Sequence, residues 1–224
     1  MIVRDGIDIY HGDCISLMRS FDEKSVDTVV TDIPYCEVNR CDNGLRNLSK
    51  GAADEFAYSL QTLTDELLRI CRGSIYMFCG IGQVSTLRDL LIRGGQSTRL
   101  LIWEKLNPSP MNGNSIWLSG IECLMFGKYP QSTFNGHCEK PVLRCTTSGN
   151  EFHPTQKPVS LIENLIHISS NCGDIILDPF MGSGSTAIAC LNTRRKFIGM
   201  ELNDEYFEIA KKRIIDHTVQ KRLI

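Results

Sequence analysis

Four consecutive residues, Asp32-Ile33-Pro34-Tyr35, close an apolar run, VDTVVT, that has the composition of a buried strand. They set a carboxylate, a rigid turn and an aromatic ring at the strand's carboxyl end. Read alone, Asp32 could simply cap the following turn and Tyr35 pack as an ordinary half-buried aromatic. A second stretch, DIILDPFMGSGSTAIACL, ends a strand at Asp178 and runs through Gly182-Ser183-Gly184 into a helix. Glycines there let a ligand approach bare backbone beside free helix N–H groups, which makes a nucleotide-type cradle. The next strand, FIGMEL, reaches Glu201, 23 residues after Asp178. A carboxylate at that tip is placed to accept hydrogen bonds from both hydroxyls of a ribose. Gly182-x-Gly184-x-x-Ala187 also fits a dinucleotide fingerprint, a weak motif by itself. The Asp178-Pro179-Phe180 lead-in and the cradle's position late in the chain argue against a nicotinamide cofactor, and a dehydrogenase would need a substrate domain for which little chain remains.

These groups need a scaffold, and the hydrophobic pattern supplies one. Short apolar runs alternate with segments of helical period. Strands are expected near 7–10, 26–31, 74–78, 100–103, 123–126, 175–177 and 197–200, and helices near 53–71, 84–92, 158–169, 185–191 and 204–217. The alternation predicts an α/β fold: one mostly parallel central sheet with helices on both faces. At 224 residues, 42% hydrophobic and 22% charged, the chain can bury one sizeable core, so one domain is expected over 1–224. Segments near 107–119 and 128–151 are rich in Pro, Gly, Asn, Ser and Thr and read as loops where specificity could sit.

Net charge and cysteine usage exclude several classes. A net charge of −2 rules out a binder that holds nucleic acid by bulk charge alone, so any polyanion must meet a local patch. The 10 cysteines contain no CxxC pair, and reduced thiols in the cytoplasm are expected. Cys36 and Cys41 with His137 and Cys138 match no zinc spacing, so no metal is expected. No apolar run is long enough to span a bilayer, and no membrane role is expected.

TDIPY, HPTQKP, LDPFMGSGST and GMELNDEYFEIAKKRI, in that order, together with HGDC near the start and LLIWEKLNP in the middle, resemble the DNA amino-methyltransferases. The similarity is to the permuted group whose catalytic motif precedes the S-adenosylmethionine loop, and it runs nearly the whole chain. Four motifs in one order are far more specific than any single motif. The departure is Ile33, where the family has a second proline. The resemblance implies a Rossmann-like, S-adenosyl-L-methionine-dependent methyltransferase domain acting on double-stranded DNA, encoded by a bacterium or a phage and working in the host cytoplasm.

It also implies the chemistry of the first motif. The exocyclic amine of adenine or cytosine is a poor nucleophile because its lone pair is delocalised into the ring. Asp32 would accept one amine hydrogen and the main-chain carbonyl of Ile33 the other, which concentrates the lone pair on nitrogen. A carbonyl needs no particular side chain, and Pro34 still biases Ile33 to an extended conformation. Tyr35 would stack on the base, which must be flipped from the duplex. Aspartate at position 32, where cytosine-modifying members often carry serine, favours adenine N6; cytosine N4 stays open. A DNA-binding subunit with a silent pocket is the alternative of a different class.

For the cofactor, the resemblance implies Asp178, Pro179, Phe180, Gly182, Ser183 and Gly184 around the methionine and ribose, Glu201 with Leu202 at the ribose hydroxyls, and Asp13 with Cys14 at the adenine. Lys157 of HPTQKP would hold the methionine carboxylate. For Asp13 an N-cap role on the helix from Ile15 is a compatible alternative. Trp103, Lys105 and Glu122 match weaker family patterns near the target pocket. Arg40, Arg46, Lys50 and Lys105 are the candidates for DNA contact, the first three in a loop over 36–53 expected to be mobile. Only about 129–152 is available as a target-recognition insertion, so modest sequence specificity is expected, and a second copy of the chain could contribute.

Overall fold

The computed structural model describes residues 2–4, 6–35, 58–110, 113–114, 116–148 and 156–222. One sheet of nine strands runs through them: β1 (Ile2–Arg4), β2 (Ile7–His11), β3 (Val26–Asp32), β4 (Cys71–Cys79), β5 (Ser97–Lys105), β6 (Ile121–Lys128), β7 (Val142–Cys145), β8 (Ile175–Asp178) and β9 (Lys196–Glu201). Its spatial order is β1-β2-β9-β8-β3-β4-β6-β5-β7. From β2 to β4 all neighbours are parallel, as are β5 and β7; the pairs β1–β2, β4–β6 and β6–β5 are antiparallel. This is the expected mostly parallel sheet, with every expected strand present. β1 and β7 are additions, short strands at its two edges.

Helices cover both faces because the central strands are apolar on both sides, as parallel strands buried front and back must be. Successive residues alternate between the two cores. Val30, Tyr76 and Phe78 face α4 (Val159–Ser169), α5 (Ser185–Thr193) and α6 (Asp204–Arg222). Val29, Ile75 and Met77 face α1 (Cys14–Met18), α2 (Leu60–Ile70) and α3 (Val84–Arg93). α2 carries its apolar residues, Leu63, Leu67 and Ile70, at helical spacing and is N-capped by Ser59, whose side chain accepts from the Thr62 N–H. In α6, Phe207, Ala210 and Ile214 make the buried stripe, so the basic C-terminal run is a helix seated on the sheet.

The parallel arrangement brings the carboxyl ends of β2, β3, β4, β8 and β9 to one edge of the sheet. β6, running the other way, brings its first residues to the same edge, with Cys123 opposite Cys79 and Glu122 opposite Trp103 of β5. Ligands collect at this edge in open α/β sheets.

The segment after β6 departs from its loop-like reading. Val142–Cys145 pairs in parallel with Ile102–Lys105, and the indole N–H of Trp103 donates to Cys145 O at 3.0 Å. Asn135 donates to His167 O and Ser170 O at the C-terminus of α4. Much of 129–148 is therefore stitched to the body of the fold. Among the described residues, no helix is long and apolar enough to cross a membrane.

Candidate active site

A cavity of about 630 Å³ opens along the converging strand ends, a size within the range of small-molecule sites. Two of its walls hold the two motifs.

The first wall is the end of β3. The Ile33 N–H donates to Phe78 O at 3.2 Å, which extends the strand pairing past Asp32 and fixes the motif's backbone. The Ile33 side chain is 1% exposed and belongs to the core beneath the site, so the departure from the family motif is absorbed as packing. Pro34 O accepts from the side-chain amide of Gln83 at 3.0 Å, while Gln83 Oε1 accepts the Gly80 N–H, clamping the motif to the turn after β4. Asp32, Pro34 and Tyr35 line the cavity.

Around Asp32 stands a buried charge cluster. Lys157 Nζ lies 2.5 Å from Asp32 Oδ2 and 3.2 Å from Glu122 Oε2, and Lys105 Nζ lies 2.7 Å from Glu122 Oε1. Two acids face two bases, so the cluster is neutral, which is what burial demands. Lys157 is 6% exposed and sits over the rings of Phe78 and Tyr35, 5.2 and 5.6 Å from their centroids. Asp32 Oδ1 is buried and has no hydrogen-bond partner among the described residues, so the carboxylate keeps unspent acceptor capacity. Burial pushes the Asp32 carboxyl above its ordinary value and Glu122 adds to it, against the pull of Lys157. Burial works the same way on Glu122, but Lys157 and Lys105 outweigh it and hold that carboxyl low. Burial, with the charges of Asp32 and Glu122, pushes the Tyr35 phenol well above its ordinary value; its hydroxyl donates to Glu122 Oε2 at 3.4 Å.

The second wall is the loop after β8. Asp178 Oδ1 accepts from the Thr31 hydroxyl at 2.8 Å and the Phe180 N–H at 3.1 Å, and Oδ2 from the Thr186 hydroxyl at 2.6 Å. Burial outweighs these bonds and raises its carboxyl to about 6. Glu201 accepts the Gly182 N–H at 3.0 Å on one oxygen and the Asn203 N–H at 2.8 Å on the other. Gly182 has φ +50° and a Cβ there would meet nothing within 4 Å, so bare backbone faces open space. Arg213 of α6 reaches into the loop, donating to Ser183 O at 3.0 Å.

Two relatives decide the family. M.HpaI, a type II methyltransferase of Haemophilus parainfluenzae, is 31% identical over 89% of this chain and 71% of its own length. A putative methylase of Escherichia coli (strain K12), YubD, is 31% identical over 91% of this chain and 88% of its own. The chain belongs to the N6/N4 DNA methylase family. Residues 104–212 of the methylase match the family model described as DNA methylase. Among solved structures, the M1.HpyAVI–SAM complex overlays with a TM-score of 0.74 at 31% identity, covering 93% of this chain and 98% of that one. The PvuII cytosine-N4-specific DNA methyltransferase shares the fold, with a TM-score of 0.71 at 17% identity over 96% of this chain and 92% of that one.

Asp13, Cys14, Lys157, Asp178, Pro179, Phe180, Gly182, Ser183, Glu201 and Leu202 of the methylase all line the cavity with the Asp32 motif. Three of the expected residues have contacts of their own within the protein. Gly184 does not line the cavity: at φ +81° it is the N-cap of α5, and a Cβ there would meet Ala210 Cβ at 3.3 Å, so its bareness serves helix packing. Lys157, expected at a cofactor carboxylate, is held by Asp32 and Glu122. Lys105, a candidate for DNA contact near the target pocket, is inside the cavity wall and paired with Glu122. Asp13 does cap α1, accepting the Ser16 N–H at 2.8 Å, and its other oxygen takes the Tyr58 hydroxyl. Burial pushes the Cys14 thiol to about 12, so it lines the site as an uncharged group. Arg40, Arg46 and Lys50, with the loop 36–53, lie outside the described residues. Gln83, Tyr58 and Arg213 carried no sequence signal, since each acts through a partner distant in the chain.

Proposed function

We propose that this methylase transfers a methyl group from S-adenosyl-L-methionine to the exocyclic amine of a base flipped out of double-stranded DNA, adenine N6 rather than cytosine N4. The observation that carries the reading is the Asp32 carboxylate at the cavity, one oxygen fixed by a buried lysine and the other without a partner. A buried acceptor left unsatisfied is costly, so it calls for a donor from a ligand. An amine hydrogen is such a donor.

In this reading Asp32 accepts one amine hydrogen, the Ile33 carbonyl accepts the other, and the Tyr35 ring stacks on the base. Lys157 acts as a positioning residue that holds the carboxylate still, and Glu122 anchors Lys157 in turn. The amine nitrogen becomes acidic only as it gains the methyl, and its surplus proton then passes to the Asp32 carboxylate, whose burial makes it a better proton acceptor than an exposed aspartate. The bound cofactor supplies an electrophilic methyl on a sulfonium sulfur. Glu201 is assigned to the ribose hydroxyls, the Gly182–Ser183 backbone and Asp178–Phe180 border the ribose and methionine, and Asp13, Cys14 and Leu202 border the adenine. The fit rests on the open space before Gly182 and on the second lone pair of each Glu201 oxygen. Adenine is favoured by an aspartate at position 32. The segment 129–152 is assigned to target reading; because 142–145 is spent on the sheet, few bases are read and specificity is modest.

Incubation with labelled S-adenosyl-L-methionine and unmodified DNA, digestion to nucleosides and identification of the product tests this. N6-methyladenine is expected. N4-methylcytosine would overturn the choice of base, and absence of any labelled nucleoside would overturn the activity.

A further inference from the structure

Leu106, Ile116, Trp117 and Leu118 are large apolar side chains left exposed on the single connection between β5 and β6, and exposed Ile121 opens β6 directly after it. Trp117 is 95% exposed, more than any other large apolar side chain among the described residues. Single exposed apolar residues need no explanation, but a run of three, Ile116-Trp117-Leu118, does.

The location of the run is informative. The connection leaves β5 at Lys105 and enters β6 at Ile121, the two strands that carry Lys105 and Glu122 into the cavity, and Ser119, Ile121 and Glu122 line the cavity wall. Its returning end is tied down where it meets the site: the Gly120 N–H donates to Leu118 O at 2.7 Å, and the Lys105 N–H to Gly120 O at 2.8 Å. Leu118 folds back over Gly113, where a Cβ would lie 2.9 Å from Leu118 Cδ2, while the Gly113 N–H donates to Pro110 O. The turn thus packs on itself and displays Trp117 outward. From Leu106 to Gly120 there is no charged residue, so the connection itself carries no carboxylate to oppose approach to phosphates.

We propose that Trp117, flanked by Ile116 and Leu118, is a wedge that enters the base stack of duplex DNA at the target position and fills the space the extruded base leaves. This rests on the base-flipping reading above. Apolar side chains inserted at a base step compensate unstacking, and a ring as large as indole covers both neighbouring bases. A surface meant only for phosphates would carry lysines and arginines instead.

The test uses the whole chain and duplexes carrying the methylated site once it is mapped by long-read sequencing. In one duplex the target base is paired; in the other it faces an abasic position, where extrusion needs no wedge. Trp117→Ala is expected to lower kcat/KM about 30-fold on the paired duplex and less than about 3-fold on the abasic one. It is also expected to lower 2-aminopurine emission at a paired target position. Equal losses on both duplexes, or no loss on the paired one, overturn the wedge while leaving the methylation reading intact. Equal losses accompanied by a fall in sedimentation coefficient would assign the patch to a second copy of this chain. If the wild-type protein labels no nucleoside in unmodified DNA, the base-flipping reading fails, and the wedge with it.

Discussion

Asp32 and Asp178 end adjacent parallel strands, and Thr31, the neighbour of one, donates to the other. Their carboxylates are used in opposite ways. Asp178 accepts three hydrogen bonds, all from the protein, and so braces the loop that frames the cofactor side. Asp32 receives one strong partner, Lys157, and keeps an oxygen in reserve. On the proposed reading, the same residue type at the same place in the fold is scaffold when its lone pairs are filled from within and chemistry when they are not. Partner number, more than burial, separates the two.

The sharpest way to break this contrast is Asp32→Ala. Transfer is expected to fall about 10³-fold or more in kcat, since the site loses a pre-organised acceptor, while the cofactor Kd stays within about 3-fold. Isothermal titration beside single-turnover kinetics separates the two quantities. A comparable loss of cofactor affinity would make Asp32 scaffold after all.

Lys157→Met should have the next largest effect, about 10²-fold in kcat, because two buried carboxylates then face each other without the cation between them. The direction in pH is fixed. Lys157 pulls the Asp32 carboxyl down against burial, so its removal raises that carboxyl further, and the acidic limb of the kcat–pH profile must move to higher pH. A limb that stays in place would mean that Lys157 does not act through Asp32.

Asp178→Asn tests the other half. The wild-type carboxyl rises to about 6 in the fold, above an ordinary aspartate, so the folded state binds the proton more tightly than the unfolded chain. Its contribution to stability is therefore greatest at low pH and declines as pH climbs toward 6. Thermal denaturation of wild type against Asp178→Asn between pH 4 and 7 should show a difference that shifts in favour of the amide by on the order of 2 kcal/mol. Asparagine keeps an oxygen for Thr31 and the Phe180 N–H, so transfer at pH 7 should change little.

The two motifs were legible in sequence because each is local: a strand end, a proline, a glycine turn and a helix start within a dozen residues. Their wiring was not. Lys157 reaches Asp32 across 125 positions of sequence, and nothing in HPTQKP distinguishes a lysine aimed at a cofactor from one aimed at an aspartate. β7 was missed for a related reason: four half-exposed or exposed residues between proline- and serine-rich flanks make too weak a period, and only the open edge of β5 makes them a strand. The helix from Asp204 was expected, but the reach of its Arg213 to Ser183 of the glycine loop spans 30 positions of sequence and had no local signature.

The smallest expected effect is also the finest discrimination. Gly182 and Gly184 look equivalent in sequence, and both have positive φ, so alanine at either costs roughly 1–2 kcal/mol in backbone strain. Their surroundings differ. At Gly184 the new methyl meets Ala210 of α6 at 3.3 Å, tighter than ordinary contact, so Gly184→Ala should lower Tm further than Gly182→Ala while leaving the cofactor Kd near wild type. At Gly182 the methyl meets only open space in the cavity, and it should weaken the cofactor by several-fold with the smaller loss of Tm. Melting curves with and without S-adenosyl-L-methionine read both effects at once: Gly184→Ala keeps the ligand-induced rise in Tm, and Gly182→Ala shows a smaller one at the same ligand concentration. The reverse pattern would put the cofactor against the helix N-terminus at Gly184 and move the cradle one turn along the chain.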